Sequence, residues 1–112
     1  MTVKTEAEVV LPRGAHFLIQ DFSPEAVFTP EDLSEEQRMI KATAYEFMDR
    51  DVFPHIERLE HQDLDLLRQV MRKCGELGLL SVDIPEEYGG LGLDKVSSAV
   101  VAEAVGRYAS FA

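Results

Sequence analysis

Apolar residues recur at three- and four-residue spacing in three stretches of this chain, and each stretch is framed by the chemistry that starts or stops a helix. In the first, Ser34 stands three residues before Gln37, the pairing of a capping box, and Glu35 and Glu36 occupy the turn where the helix dipole favours acids. Ile40, Ala44, Phe47 and Met48 then share a face, and Pro54 predicts an end or a kink near Val52. The second helix is expected from about Asp63 to Leu77, with Leu67, Val70, Met71, Cys74 and Leu77 as its buried stripe and with Gly75 and Gly78 where a left-handed stop is needed. The third opens at Asp94, a good N-cap, and carries Val96, Ala99, Val100, Ala104 and Val105 to near Tyr108. Residues 79–84 read as a short extended or irregular segment. Three stripes imply one shared core, so the expected fold is all-α and bundle-like, with short connections. Leu64, Leu66 and Val101 lie off the main stripes and are expected to carry the apolar surface on toward other domains.

Residues 1–30 lack this order. Pro12, Gly14, Pro24 and Pro30 interrupt them too often for a long helix, so a mostly irregular N-terminal extension precedes a helical domain at 31–112. Inside the extension Phe17, Leu18, Ile19 and Phe22, followed by Val27 and Phe28, form an apolar patch expected to dock on a surface of the same chain or of another subunit. The second and third helices are joined through I-P-E-E-Y-G-G-L-G-L at residues 84–93. Pro85 holds Ile84 extended, Gly89, Gly90 and Gly92 permit positive backbone angles or a close approach, and Glu86 and Glu87 keep one side wet. Ile84, Tyr88, Leu91 and Leu93 give this loop apolar surface that a solvated linker would not need.

Charge and length then narrow the function classes. At 112 residues the chain is one domain at most, and a helical unit of this size is marginal alone. A net charge of −10 without any basic cluster speaks against nucleic acid or an anionic membrane as partner. No apolar run approaches the roughly 20 residues that span a bilayer. The first residues, with Glu6 and Glu8, match neither a secretory signal nor a mitochondrial presequence, and a bacterial cytoplasm is the expected location. Cys74 is the single cysteine and falls in an apolar helical stripe, where a buried structural thiol is expected.

Each candidate for chemistry meets a physical objection. The glycines at 89–92 precede a helix as a phosphate cradle would, but Glu86, Glu87 and Asp94 would oppose an anion, and the spacings of known phosphate loops are missing. His55, Glu57, Glu60 and His61 lack the Glu-x-x-His spacing of di-iron bundles, and Pro54 disturbs the helix that would converge them, so a solvated polar face is expected; His16 is read the same way. Ser97, Ser98 and Ser110 sit at helix ends, where capping or solvent contact accounts for them, and no base or oxyanion hole can be named for any nucleophile. No catalytic, cofactor-binding or metal-ligating residue is therefore expected in this chain.

The loop at 84–93, with C-G-E-L-G-L-L-S-V-D before it, V-A-E-A-V-G-R-Y after it and the entry F-T-P-E-D-L-S-E-E-Q-R-M-I, closely resembles the N-terminal helical region of the acyl-CoA dehydrogenases, in the bacterial branch related to the very-long-chain enzymes. The likeness covers roughly residues 28–112; the extension matches only loosely, in G-A-H-F-L-I-Q-D-F-S-P-E. It implies a flavoenzyme in which a β domain and a C-terminal helical domain follow this one. Such an enzyme removes two hydrogens across the α and β carbons of a fatty acyl-CoA in β-oxidation. A carboxylate base in the C-terminal domain takes the proton, FAD accepts the hydride, and an electron acceptor reoxidises it. The resemblance implies that this chain holds neither base nor flavin contacts, is inactive alone, and serves as scaffold and acyl-pocket wall in what is expected to be a homo-oligomer. Tyr108, Phe111 and Ala112 are the only positions it places near the acyl tail. A stand-alone acidic helical interaction module is the alternative from another class; a stand-alone small helical enzyme lacks a nameable site.

Overall fold

The first helix begins where its capping box predicts. Ser34 Oγ accepts from the Gln37 N–H at 3.1 Å, and Gln37 Oε1 accepts from the Ser34 N–H at 2.9 Å, so helix α1 runs Glu35–Phe47. These and the following descriptions refer to residues 13–111 of a computed structural model. The chain divides into two units, Met1–Leu33 and Ser34–Ala112, and the second holds all the α-helices described here.

Pro54 was expected to bring an end or a kink near Val52; regular α-helix does give way there, but the chain keeps turning past it. A π-turn at Met48–Val52 follows α1, closed by the Phe53 N–H donating to the Met48 carbonyl five residues back. A 3-10 turn at Phe53–His55 carries Pro54 in its first turn, and helix α2 continues at Ile56–Glu60. A proline in a first turn removes only an N–H that has no helical partner anyway, so the chain turns without breaking. The widened turn keeps Met48 and Val52 fully buried. Gln62, at φ 59, then reverses the chain, with the Asp63 N–H donating to the Arg58 carbonyl at 3.1 Å.

Helix α3, Leu64–Glu76, is capped by Asp63, whose Oδ1 accepts from the Leu66 N–H at 3.1 Å. Its end is a Schellman motif: Leu79 N–H donates to the Cys74 carbonyl at 3.2 Å and Gly78 N–H to the Gly75 carbonyl at 3.0 Å. Gly78 supplies the required left-handed angle, φ 79. Gly75 stays helical, so of the two candidate stop residues only Gly78 has that role. The inward face also differs from the expected stripe. Leu66, Val70 and Cys74 are buried, while Met71 and Leu77 are exposed.

Helix α4, Lys95–Val105, starts at Asp94, whose Oδ1 accepts from the Ser97 N–H at 2.9 Å and from its hydroxyl at 2.8 Å. It packs mainly on α1, and α2 packs on α3. Ala44 and Ala104, both fully buried, give the α1–α4 pair small side chains in the core. Val101, expected to face missing domains, is buried at 8% exposure. Leu66 and Val101 are thus core residues, whereas Leu64 is exposed. One core gathers Phe47, Met48, Val52, Leu59, Val70, Cys74, Leu79, Val82 and Val101 among others. No strand forms among the described residues.

The first unit, over its described residues, consists of three 3-10 turns at Gly14–Leu18, Pro24–Ala26 and Pro30–Asp32. Two begin with proline, which is pre-set for a first turn. Phe17, Leu18, Ile19, Val27 and Phe28 are exposed and Phe22 is half-buried. The expected patch is therefore present, and five of its six side chains remain open to solvent. Pro12, Glu6 and Glu8 lie outside the described residues.

Candidate functional site

Three residues were expected to approach a substrate, all at the end of α4. Beyond Gly106 the chain continues in tight turns, with Phe111 N–H donating to the Tyr108 carbonyl at 3.0 Å. Phe111 is half-buried, its ring edge-on to Phe47 with centroids 5.8 Å apart. Tyr108 is also half-buried, lies against Phe53 at 5.2 Å, and its O–H donates to Asp49 Oδ1 at 3.4 Å. Tyr108 and Phe111 thus pack on the core by one side, and Ala112 lies outside the described residues.

Around Tyr108 stands a cluster that pattern reasoning did not find. Asp49 projects from the π-turn and pairs with Arg107 Nη1 at 3.3 Å. The Arg107 guanidinium lies 4.8 Å from the Tyr45 ring centroid and 5.4 Å from that of Tyr108. The cation is neutralised by a carboxylate and shared by two aromatic faces, so the arrangement holds the α4 exit against the π-turn and offers no reactive group. Tyr45, Asp49 and Phe53 recur at four-residue spacing, which was a usable signal. What the spacing could not give was the register of α4 beside them.

The loop at 84–93 is tied down by its own backbone. Leu91 N–H donates to the Ser81 carbonyl at 2.9 Å, Gly92 N–H to Ile84 at 2.8 Å, and Leu93 N–H to Val82 at 2.8 Å. Gly89 and Gly92 hold positive φ of 82 and 61. Gly90 is needed for a different reason: a Cβ there would fall on the Ile84 carbonyl oxygen. Leu93 packs on the core, but Ile84, Tyr88 and Leu91 are exposed. Beside Leu91 runs an apolar groove of about 610 Å³ along α1, floored by Ile40, Leu79 and Val82 and rimmed by Met39, Leu77, Glu35 and Glu36.

The titratable groups are arranged for structure. Asp94 is held below the usual carboxylate range first by the Ser97 N–H, then by its hydroxyl and by Gln37. Asp83 is lowered by the Lys95 ammonium, 3.0 Å away, and by Ser98. Burial pushes the Cys74 thiol up, away from the thiolate that reactivity would need. His61 Nδ1–H donates to its own helix at the Glu57 carbonyl, 2.7 Å away. No group of three or more His, Cys, Asp or Glu is placed to hold a metal among the described residues. Ser110 shows neither the capping nor the solvent contact expected of it, since its Oγ is buried without a hydrogen-bond partner among the described residues.

The family model described as "Acyl-CoA dehydrogenase, N-terminal domain" matches residues 34–112. The chain belongs to the acyl-CoA dehydrogenase family. It is 46% identical over 99 residues to a probable acyl-CoA dehydrogenase of Bacillus subtilis, a match covering 88% of this chain and 17% of that one. The human mitochondrial short-chain specific acyl-CoA dehydrogenase is 35% identical over 81 residues, which are 72% of this chain and 19% of its own length. A solved acyl-CoA dehydrogenase from Bacillus anthracis, complexed with FAD, superposes with a TM-score of 0.79 at 46% identity, covering 87% of this chain and 17% of that chain. The chain thus spans about a sixth of the length of these Bacillus relatives. The match to the acyl-CoA dehydrogenase domain begins at Ser34, where the helical unit begins.

A flavin such as that named with the Bacillus anthracis acyl-CoA dehydrogenase needs free donors for its phosphates. At the start of α4 the Asp94 carboxylate already occupies the Ser97 N–H, and Glu86 and Glu87 are exposed in the preceding loop. This glycine loop does not fit FAD phosphates. Among the described residues, no helix is long and apolar enough to cross a membrane.

Proposed function

We propose that this chain serves as the N-terminal helical domain of a longer FAD-dependent acyl-CoA dehydrogenase. In that reading the polypeptide continues into a β domain and a C-terminal helical domain, and residues 1–30 form an extension ahead of the helical domain at 31–112. The enzyme oxidises fatty acyl-CoA across the α and β carbons in β-oxidation and passes electrons to an acceptor. It works as a homo-oligomer in a bacterial cytoplasm. FAD and the catalytic base belong to the rest of the polypeptide, and no step of the reaction is carried by a residue of this chain. Its contribution is to exclude water from the cavity, which strengthens fixed dipoles inside, and to present Tyr108, Phe111 and Ala112 toward the acyl tail.

The observation that carries this reading is the family match along the whole helical unit, 34–112. The anchored turn at Tyr108 and Phe111 supports a role as wall: each ring has one side fixed on the core and retains partial exposure. The test is to purify the 112-residue chain and a protein carrying the following domains in parallel. The expected outcome is flavin absorbance and acyl-CoA-dependent dye reduction in the longer protein only. Stoichiometric flavin or activity in the short chain would overturn the division of labour.

A further inference from the structure

The turn that leaves α4 is held by contacts that are individually long and that share one side chain. In its backbone, Arg107 N–H donates to the Ala104 carbonyl at 3.3 Å and Tyr108 N–H to the Val105 carbonyl at 3.4 Å, against about 2.9–3.0 Å for a typical bond. Asp49 Oδ1 pairs with Arg107 Nη1 at 3.3 Å and accepts from the Tyr108 O–H at 3.4 Å. The same guanidinium faces the Tyr45 and Tyr108 rings, 4.8 and 5.4 Å from their centroids. Arg107 is therefore common to the ion pair and to both aromatic contacts. Removing it releases all three at once, and leaves Tyr108 with one long hydrogen bond to Asp49 and the Phe53 ring beneath it.

The partners of this arginine are aligned by the π-turn. Tyr45, Asp49 and Phe53 stand four residues apart. Four residues overshoot one α-helical turn of about 3.6, so such a row winds away around a regular helix. The turn at Met48–Val52 is wider, closed by a bond spanning five residues, and offsets that drift. Tyr45 and Asp49 thus both reach Arg107, while Asp49 and Phe53 both reach Tyr108. Turns of this kind are rare, and they occur frequently at functional sites.

We infer that Arg107 is a positioning residue that fixes the Tyr108–Phe111 turn through Tyr45 and Asp49, and so sets which acyl chain lengths the enzyme favours. This rests on the reading of that turn as part of the acyl-pocket wall. Arg107 touches no reacting atom. It acts through the half-buried rings of Tyr108 and Phe111: a shifted ring changes contact with the methylenes beside it and leaves the α and β carbons in place. An apolar wall discriminates by about tenfold or more per methylene, so a loosened wall flattens the preference among lengths.

The test measures kcat and KM for saturated acyl-CoA substrates of graded length, using a protein that carries the following domains, with Arg107 intact and as Arg107→Gln. The preference for the best substrate over those two carbons longer or shorter should fall by about fivefold or more. The fall should come through KM, with kcat for the best substrate changed by about twofold at most. Asp49→Asn should flatten the same preference less, and the double variant should be no flatter than Arg107→Gln alone, because the two side chains act as one unit. Arg107→Lys keeps the charge without the flat face that two rings share, and should fall between parent and Arg107→Gln. Flavin content and thermal melts establish that each variant is folded, and Asp49→Asn is the milder substitute if Arg107→Gln is not. A general loosening of the fold would lower the active fraction, and hence kcat, alike at every length. That result, an unchanged preference, or additive effects of the two substitutions overturns the inference. An unmodified longer protein that binds no flavin and oxidises no acyl-CoA overturns the parent reading and this one with it. An active enzyme whose preference ignores Arg107 removes only the positioning role.

Discussion

Two regions of the helical unit are rich in large apolar side chains; one is closed on its inner side, where its rings rest on the core, and the other is open. At the end of α4, Phe111 meets Phe47 edge-on and Tyr108 lies on Phe53, and both pack against the core. Along residues 77–93, Leu77, Leu80, Ile84, Tyr88 and Leu91 are exposed although the backbone beneath them is cross-linked by its own hydrogen bonds. The closed region derives its order from side chains packed together. The open one derives it from backbone geometry, which leaves its side chains available. Sequence pattern put the open surface elsewhere: Leu64, Leu66 and Val101 were expected to carry it, yet Leu66 and Val101 belong to the core and only Leu64 is exposed.

Four tests would break or sharpen this contrast. The largest effect belongs to Phe47→Ala, since Phe47 is 1% exposed and supports Phe111; a loss of about 3–5 kcal/mol is expected in urea melts. A loss no larger than that of a surface change would mean the region is not closed in solution. Next comes Gly90→Val, which drives a side chain into the Ile84 carbonyl and should destabilise by about 1–3 kcal/mol, as overpacking does. A variant as stable as its parent would show that the loop yields where its hydrogen bonds suggest it is stiff.

Acidification tests the polar ties between elements. Asp63, Asp83 and Asp94 all have folded pKa values lowered, by the Leu66 N–H, by Lys95 and by the Ser97 N–H respectively as first cause. Depressed carboxylates contribute stability that is present above the unfolded Asp value of about 3.9 and lost as pH falls through the folded values. Stability should therefore hold from neutral pH to near that value and decline below it, and Asp94→Asn should reduce the decline. A melt series flat through that window would remove these carboxylates from the account. The smallest effect is expected on the open side. Met39→Ala and Leu91→Ala should alter stability by no more than about 0.5 kcal/mol while reducing the binding of a hydrophobic dye to the isolated chain. A large stability loss would mean these side chains are packed after all.

Much of this was legible in the sequence because it depends on short-range chemistry. The capping pair Ser34 and Gln37, the Asp94 cap, the stop at Gly78 and the core face Ala44, Phe47 and Met48 are set within a few residues of chain. What failed was rotation about a helix axis. Leu66 and Leu67 are adjacent leucines about 100° apart on a helix, and Leu66 is buried while the expected Leu67 is only partly buried against the core; at α4 the expected Val100 is buried and Val101 beside it is buried as well. The answer depends on which neighbour arrives, here mainly α1 against α4 and α2 against α3. The π-turn was hidden for a similar reason, since Pro54 reads as a stop unless the preceding turn can widen to keep Val52 inside. At the candidate site, the apolar end of the third helix was legible, but the Asp49, Arg107 and Tyr45 cluster that holds it was not. It joins residues about 60 positions apart in sequence, and spacing along one helix carries no information on such a pairing.

Carbene footprinting of the isolated chain, repeated on a protein that carries the following domains, tests most directly whether the 77–93 side is the face left for the rest of the enzyme. The account predicts strong labelling of Met39, Ile84 and Leu91 in the isolated chain, loss of that labelling in the longer protein, and little labelling of Val101 or Ala104 in either. Equal labelling of Leu91 in both proteins, or strong labelling of Val101 in the isolated chain, would contradict it.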